Sequence, residues 1–273
     1  MMNAQQKSGQ IVTDDELKQS ILCIMDSIHN FCEQNQIKYY MLGGTMLGAI
    51  RHKGFIPWDD DIDIGILRDD YERFCKTYVD STNGYLLKSI HSDPQYYLPF
   101  AKVIDPRISL YEEVYNAPEI GAYIDVFPLD YIEKEANGKC GFFSKSIKTK
   151  IEDLRYMQIR PDRIFWKNIL IFISRIVYPC SLHKIASMRE KRALSFSCSK
   201  KTEWIANLHG AWGEKEVVPE IYFSKGAKYG FEGRVYWGAE NYDGYLTCLY
   251  RDYMTPPPPE KRVTHHSFTA TWK

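Results

Sequence analysis

The chain of 273 residues is long enough for one large domain, or for one domain with a modest second unit. Its 44% hydrophobic and 26% charged residues suit a globular protein with a sizeable core, and a net charge of zero argues against a general nucleic-acid binder. The seven cysteines are odd in number and include no Cys-x-x-Cys pair, so reduced cytoplasmic thiols are expected rather than a disulfide framework or a structural zinc. Met1 to Gln10 is polar, which predicts no signal segment, and no run of about 18 uncharged apolar residues suggests a membrane span.

Thr13 followed by Glu16 is a capping box, and Leu17, Ile21, Ile24, Met25, Ile28 and Phe31 recur at helical spacing, so a helix is predicted over 14–34. Residues 37–42 read as a short buried strand bounded by Gly43-Gly44. A short helix over 45–52 follows and is broken by Gly54 and Pro57. Residues 61–67, Asp-Ile-Asp-Ile-Gly-Ile-Leu, alternate polar and apolar as a half-buried strand does. A helix over 69–80 and strands near 85–90, 98–104 and 122–127 complete an α/β or α+β pattern over about 14–132.

The zero net charge hides an asymmetry. From Gly141 to Lys201 there are 14 Lys/Arg against 4 Asp/Glu, a local net of +10, and the remainder, 21 against 31, carries −10. The basic stretch reads as helices, with apolar positions such as Ile164, Phe165, Ile169, Leu170 and Ile173. Cations flanking such a run suit either the surface of an anionic membrane or a solvated face. Beyond Ala211 a strand is plausible at 235–237.

Chemistry concentrates at Trp58-Asp-Asp-Asp-Ile-Asp-Ile-Gly65. Residues two apart on a strand share a face, so Asp61 and Asp63 project together with Cβ atoms roughly 7 Å apart. Two such carboxylates repel, and a hard divalent cation shared with substrate phosphates would offset that repulsion. Upstream, Gly43-Gly44-Thr45 follows a strand and opens a short helix, where backbone N–H groups can approach a phosphate.

The order Gly-rich turn, short helix with Arg51 and His52, then an Asp-x-Asp strand resembles the nucleotidyltransferase fold. The longer string Met41-Leu-Gly-Gly-Thr-Met-Leu-Gly-Ala-Ile-Arg-His-Lys-Gly-Phe-Ile-Pro-Trp-Asp-Asp-Asp-Ile-Asp-Ile-Gly65 resembles the LicD family, related to fukutin and fukutin-related protein. The likeness resumes at Gly121-Ala-Tyr-Ile-Asp-Val-Phe-Pro-Leu-Asp130, at Phe231-Glu-Gly and from Asp252 to His266. It implies an α+β, nucleotidyltransferase-like core with a mixed sheet over 1–135. A basic helical segment over 136–210 and a C-terminal segment over 211–273 returning to the active site would follow.

The implied activity is metal-dependent transfer of a phospho-alcohol (phosphocholine, or glycerol or ribitol phosphate) from a CDP-activated donor to a hydroxyl of a cell-surface glycan. That glycan could be lipid-linked, with the enzyme cytoplasmic and peripheral at the inner face of the membrane. A true nucleotidyltransferase and a catalytically silent nucleotide-binding protein are the alternatives. Carried over by residue, Asp61, Asp63 and Asp125 match carboxylates that hold Mg²⁺ or Mn²⁺, with Asp125 also the candidate base. Gly43, Gly44, Thr45, Arg51 and Lys102 match phosphate-facing positions, and Lys261, Arg262, His265 and His266 a basic C-terminal motif. A choline donor would favour an aromatic cage, for which Tyr39, Tyr40, Trp58, Tyr123, Trp212, Tyr236 and Trp237 are candidates.

Overall fold

The computed structural model describes residues 8–112, 116, 118–135, 138–144, 146–262 and 268–273, with the side chains of 112 and 261 excepted. Helix α1 (Asp14–Asn35) begins as its capping box requires. The Thr13 hydroxyl accepts the Glu16 N–H at 3.3 Å, and the Glu16 carboxylate accepts the Thr13 N–H at 3.0 Å. Its apolar stripe, Leu17, Ile21, Ile24, Met25 and Ile28, is buried.

Strand β1 (Tyr39–Met41), helix α2 (Gly43–Arg51), strand β2 (Asp63–Leu67) and helix α3 (Arg68–Thr77) follow. Then come β3 (Leu86–Lys88) and two long strands, β4 (Ala101–Glu112) and β5 (Ile120–Ile132). These last two run to 12 and 13 residues, well beyond the strands expected at 98–104 and 122–127. The basic stretch is helical, as α4 (Ile147–Tyr156), α5 (Phe165–Val177) and α6 (Leu182–Phe196). The chain closes with β6 (Trp204–Ala206), β7 (Val217–Pro219), the hairpin β8 (Ala227–Phe231) and β9 (Arg234–Gly238), helix α7 (Tyr242–Tyr250) and β10 (Phe268–Trp272).

The architecture is α+β. The main sheet runs β10-β4-β5-β2-β1-β9-β8, with β3 added to β4 and β6–β7 extending β5. It is mixed: β2 pairs with β5 and β1 with β9 in parallel, while β1–β2, β4–β5 and β8–β9 are antiparallel. Helices α1 and α3 meet through Phe31 and Phe74, whose ring centroids lie 5.7 Å apart, and both join the core formed with β4 and β5. Ile62, Ile64 and Ile66 are buried in that core, as the alternation of β2 predicts.

A buried ion network ties the basic helices to the sheet. Arg68, at the start of α3, bonds Asp130 of β5 through Nε and Nη2 at 2.8 and 2.7 Å, and its Nη1 reaches Glu190 of α6. Glu190 also meets His209 Nε2 at 2.7 Å. Burial pushes the Glu190 carboxyl up, but His209 and Arg68 outweigh it and hold the group below its ordinary value. The Phe231-Glu-Gly turn between β8 and β9 braces the loop after α2, with the Phe55 N–H donating to Glu232 Oε1 at 3.0 Å.

Candidate active site

The parallel register of β2 and β5 sets Asp63 beside Asp125, and the antiparallel register of β5 and β4 sets Asp125 beside Lys102. Neighbouring strands lie about 4.8 Å apart, so these three residues form a row across the sheet. Lys102 Nζ is ion-paired with Asp125 Oδ1 and sits 3.2 Å from the Tyr123 ring centroid.

Asp61 falls just before β2 rather than within it. The reason is that β1 has three residues, and its pairing with β2 ends at Met41 opposite Ile64. The Asp125 N–H still donates to the Ile62 carbonyl at 3.1 Å, which keeps the approach to the strand beside β5. The carboxyl of Asp63 is pushed well above the usual range, first by burial and then by the charges of Asp61 and Asp125, with Lys102 opposing. Clustered carboxylates short of positive charge behave in this way.

The start of α2 faces the same spot. Gly43 has φ of +47°, a conformation costly for other residues, and a Cβ there would lie 3.8 Å from Asp63 Oδ2. A Cβ on Gly44 would lie 2.5 Å from Asp59 Oδ2. The Gly43 N–H donates to the Tyr245 hydroxyl at 2.9 Å. Thr45 serves the fold through its side chain. It is 4% exposed, and its hydroxyl accepts the Asp63 N–H at 2.8 Å, so its side chain clamps the start of β2 to α2.

Arg51, at the end of α2, donates to the Tyr253 carbonyl at 2.6 Å. Its pKa is lowered, chiefly by burial and also by the Arg262 guanidinium nearby. An anion beside Arg51 would offset both effects. Arg262 lies 5.3 Å from the centroid of Trp58, at the head of the acidic run. The Lys261 side chain, His265 and His266 lie outside the described residues.

An open cavity of about 1330 Å³ covers this row, with Gly43, Gly44, Arg51, Asp61, Asp63, Lys102 and Asp125 in its wall. The same cavity is lined by residues that sequence reasoning did not single out: Arg189, Arg192, His209, Glu216 and Tyr250. Glu216 is 7% exposed, accepts the Trp212 N–H at 3.3 Å, and is pushed by burial up to about 7. Tyr250 is raised well above its ordinary value, first by burial, then by Glu216, Asp63, Asp59 and Asp61. That hydroxyl therefore feels both Glu216 and the acid cluster, and the Trp212 ring meets the Tyr250 ring edge-on at 4.9 Å.

Of the seven aromatic candidates, Trp58, Tyr123 and Trp212 line the cavity. Tyr39, Tyr40 and Tyr236 are core side chains, and Trp237 Nε1 donates to Glu33 at 2.5 Å. No local pattern distinguishes Glu216 or Tyr250 in the sequence, because both reach the cavity only through long-range packing.

The donor set fits a hard divalent cation, since Asp61 and Asp63 offer oxygen ligands in the wall of the cavity. Among the described residues no group of three or more His, Cys, Asp and Glu side chains stands ready as a metal-binding cluster. Asp125 is instead engaged with Lys102. Such a site would draw its remaining ligands from substrate phosphates and water, as Mg²⁺ sites commonly do.

Residues 36–161 match the LicD/FKTN/FKRP nucleotidyltransferase domain. Over 260 residues, 91% of this chain and 95% of the relative, the chain is 30% identical to the lipopolysaccharide cholinephosphotransferase LicD of Haemophilus influenzae. Shorter likenesses are 50% identity over 34 residues with the ribitol 5-phosphate transferase FKRP of Homo sapiens and 49% over 51 residues with an uncharacterized protein of Rickettsia prowazekii. The first covers 12% of this chain and 7% of the relative, the second 19% of each. The paired carboxylates beside a Gly-rich helix start, and a likeness that spans nearly the whole chain, place this protein in the LicD family.

Proposed function

We propose that this chain transfers a phospho-alcohol from a CDP-activated donor to a hydroxyl of a cell-surface glycan. The observation that supports it most is the row Asp63–Asp125–Lys102, with Asp61 beside it, facing the start of α2 within one large cavity. Phosphocholine is the favoured cargo because the relative matched along nearly its whole length is a cholinephosphotransferase acting on lipopolysaccharide.

In this reading the acceptor oxygen attacks the phosphorus that bears the alcohol. The bond from that phosphorus to the oxygen of the nucleoside monophosphate breaks, and CMP leaves with the electron pair. Asp125, oriented by Lys102, takes the acceptor proton. Arg51, Arg262 and the Gly44–Thr45 backbone at the start of α2 position phosphate oxygens. Asp61 and Asp63 would hold Mg²⁺ or Mn²⁺, which would supply positive charge against the diphosphate and the leaving nucleotide. In the same cavity, Glu216 with Trp212 and Tyr250 is the candidate seat for a cationic alcohol.

Incubation with Mg²⁺ and CDP-choline, CDP-glycerol or CDP-ribitol, with an acceptor glycan, tests the reading. One donor should release CMP and form a phosphodiester. A cytidylylated acceptor, formed with release of the phospho-alcohol from a CDP-alcohol or of pyrophosphate from CTP, would assign a nucleotidyltransferase instead. Release of neither product set from any donor would leave only nucleotide binding and overturn the proposal.

A further inference from the structure

Helix α5 is oriented against the usual rule. A surface helix turns its apolar stripe to the core and its polar face to water. Here the inward positions are Asn168, Ile169, Ile171, Ser174 and Arg175, three of them polar. Asn168 holds the Arg160 carbonyl at 2.7 Å, Ser174 donates to the Ile171 carbonyl at 2.6 Å, and Arg175 reaches the Met157 carbonyl at 3.2 Å. The outward positions are large and apolar: Phe165 is 69% exposed, Trp166 70%, Leu170 53%, Phe172 56%, Ile176 63% and Val177 61%. A contiguous apolar face of this kind marks an interaction surface.

The charge around it selects the partner. The segment 141–201 carries 14 Lys/Arg against 4 Asp/Glu. Those four acids are already engaged: Glu190 with Arg68 and His209, Glu152 and Asp153 with Arg189, and Asp162 with Arg160. Lys167 on α5 itself, and Lys148 and Lys150 on the adjoining helix α4, are exposed. A second copy of the chain would bring like charges together, whereas an anionic lipid surface offers the complement.

Dimensions set the mode of contact. Thirteen residues span about 20 Å of helix, short of the roughly 30 Å of a hydrocarbon core. Among the described residues no single helix is long and apolar enough to cross a membrane. The pair α5–α6, bent by 82°, is the one combination long enough by composition. Helix α6 is fixed to the sheet through Glu190 and Arg68, so it is not available to continue a span.

We propose that α5 lies in the headgroup region of an anionic bilayer, apolar face down, with the surrounding lysines and arginines on lipid phosphates. Met157, held by Arg175, lines the active-site cavity, so this seating sets the cavity beside the lipid surface. The inference concerns the surface alone and stands whichever group the enzyme transfers.

Flotation of the full chain with phosphatidylcholine vesicles, with and without phosphatidylglycerol, tests it at low and high salt. The wild type should float with the anionic vesicles at low salt and be released at high salt. F172Q/I176Q changes only exposed side chains. It should keep the wild-type melting temperature and bind vesicles at least about tenfold more weakly. Tryptophan emission should shift to the blue on binding, and W166F should lose most of that shift while still floating. No flotation at low salt, equal flotation with uncharged vesicles, or undiminished binding by F172Q/I176Q would each overturn the proposal. So would a wild-type dimer that F172Q/I176Q dissolves without any vesicle binding.

Discussion

Glu216 supplies a quantitative test of the cavity's lining. Burial moves its carboxyl from an ordinary 4.5 to about 7, a shift that corresponds to about 3 kcal/mol between its two protonation states. The sign follows from linkage. A carboxyl raised on folding contributes stability that is full below about 4.5 and is lost as pH climbs through about 7, because the folded state must then hold a buried charge. E216Q keeps an acceptor for the Trp212 N–H and removes the charge. Urea unfolding of both proteins from pH 4.5 to 8 should show E216Q gaining on the wild type by up to about 3 kcal/mol, with most of the gain between pH 5 and 8. A stability difference that stays constant across that range would refute the reasoning. If the Glu216 carboxylate also faces a cationic alcohol, E216Q should raise the KM for CDP-choline more than for CDP-ribitol.

Arg68→Met leaves Asp130 and Glu190 buried without their cation, and should cost about 3–5 kcal/mol and lower the melting temperature by about 10 °C. A loss under about 1 kcal/mol would mean that the network is solvated. Because Glu190 sits below its ordinary 4.5, its share of stability is present above that pH and fades as acid titrates it. The wild type should therefore lose stability more steeply than R68M below pH 4.5. Gly48→Ala in α2 pits helix propensity, a gain of about 1 kcal/mol, against a Cβ placed 2.4 Å from the Gly54 carbonyl oxygen. The clash should win by about 1–3 kcal/mol in urea unfolding, and a stabilised G48A would contradict the tight turn that leads to the acidic run.

Local signals carried much of this fold. The capping box and 3.6-residue period fixed α1, and the alternation at 61–67 fixed β2 to within two residues, because each depends on near neighbours along the chain. Strands β4 and β5 were underestimated. Their length comes from pairing with β10, β2, β3 and β6, while Pro106 and Pro128 read locally as breaks. Helix α7 was missed: Tyr242–Tyr250 has Gly244 and few strong helix formers, and it forms on an Asn241 cap and the burial of Tyr245, Leu246 and Leu249.

At the site, Asp61 and Asp63 were legible as neighbours, but the adjacency of Asp63 and Asp125 needs the parallel register that only the family resemblance anticipated. The Gly43–Thr45 turn is legible as a backbone feature, but the bond from the Asp63 N–H to the Thr45 hydroxyl depends on packing between α2 and β2 that no local pattern shows. Glu216 and Tyr250 carry no local mark, since their character comes from burial among residues distant in sequence.

The central claim is that Asp61 and Asp63 serve a metal-dependent phospho-alcohol transfer. CMP release from the CDP-alcohol that the wild type uses, with acceptor glycan and Mg²⁺, measures it directly in the wild type, D61N and D63N. The account predicts turnover that stops on chelation of the metal and is abolished in both variants. D63N should melt no lower than the wild type, since it removes a carboxylate held against burial and like charge. Transfer at the wild-type rate by D61N or D63N, or turnover indifferent to chelation, would contradict it.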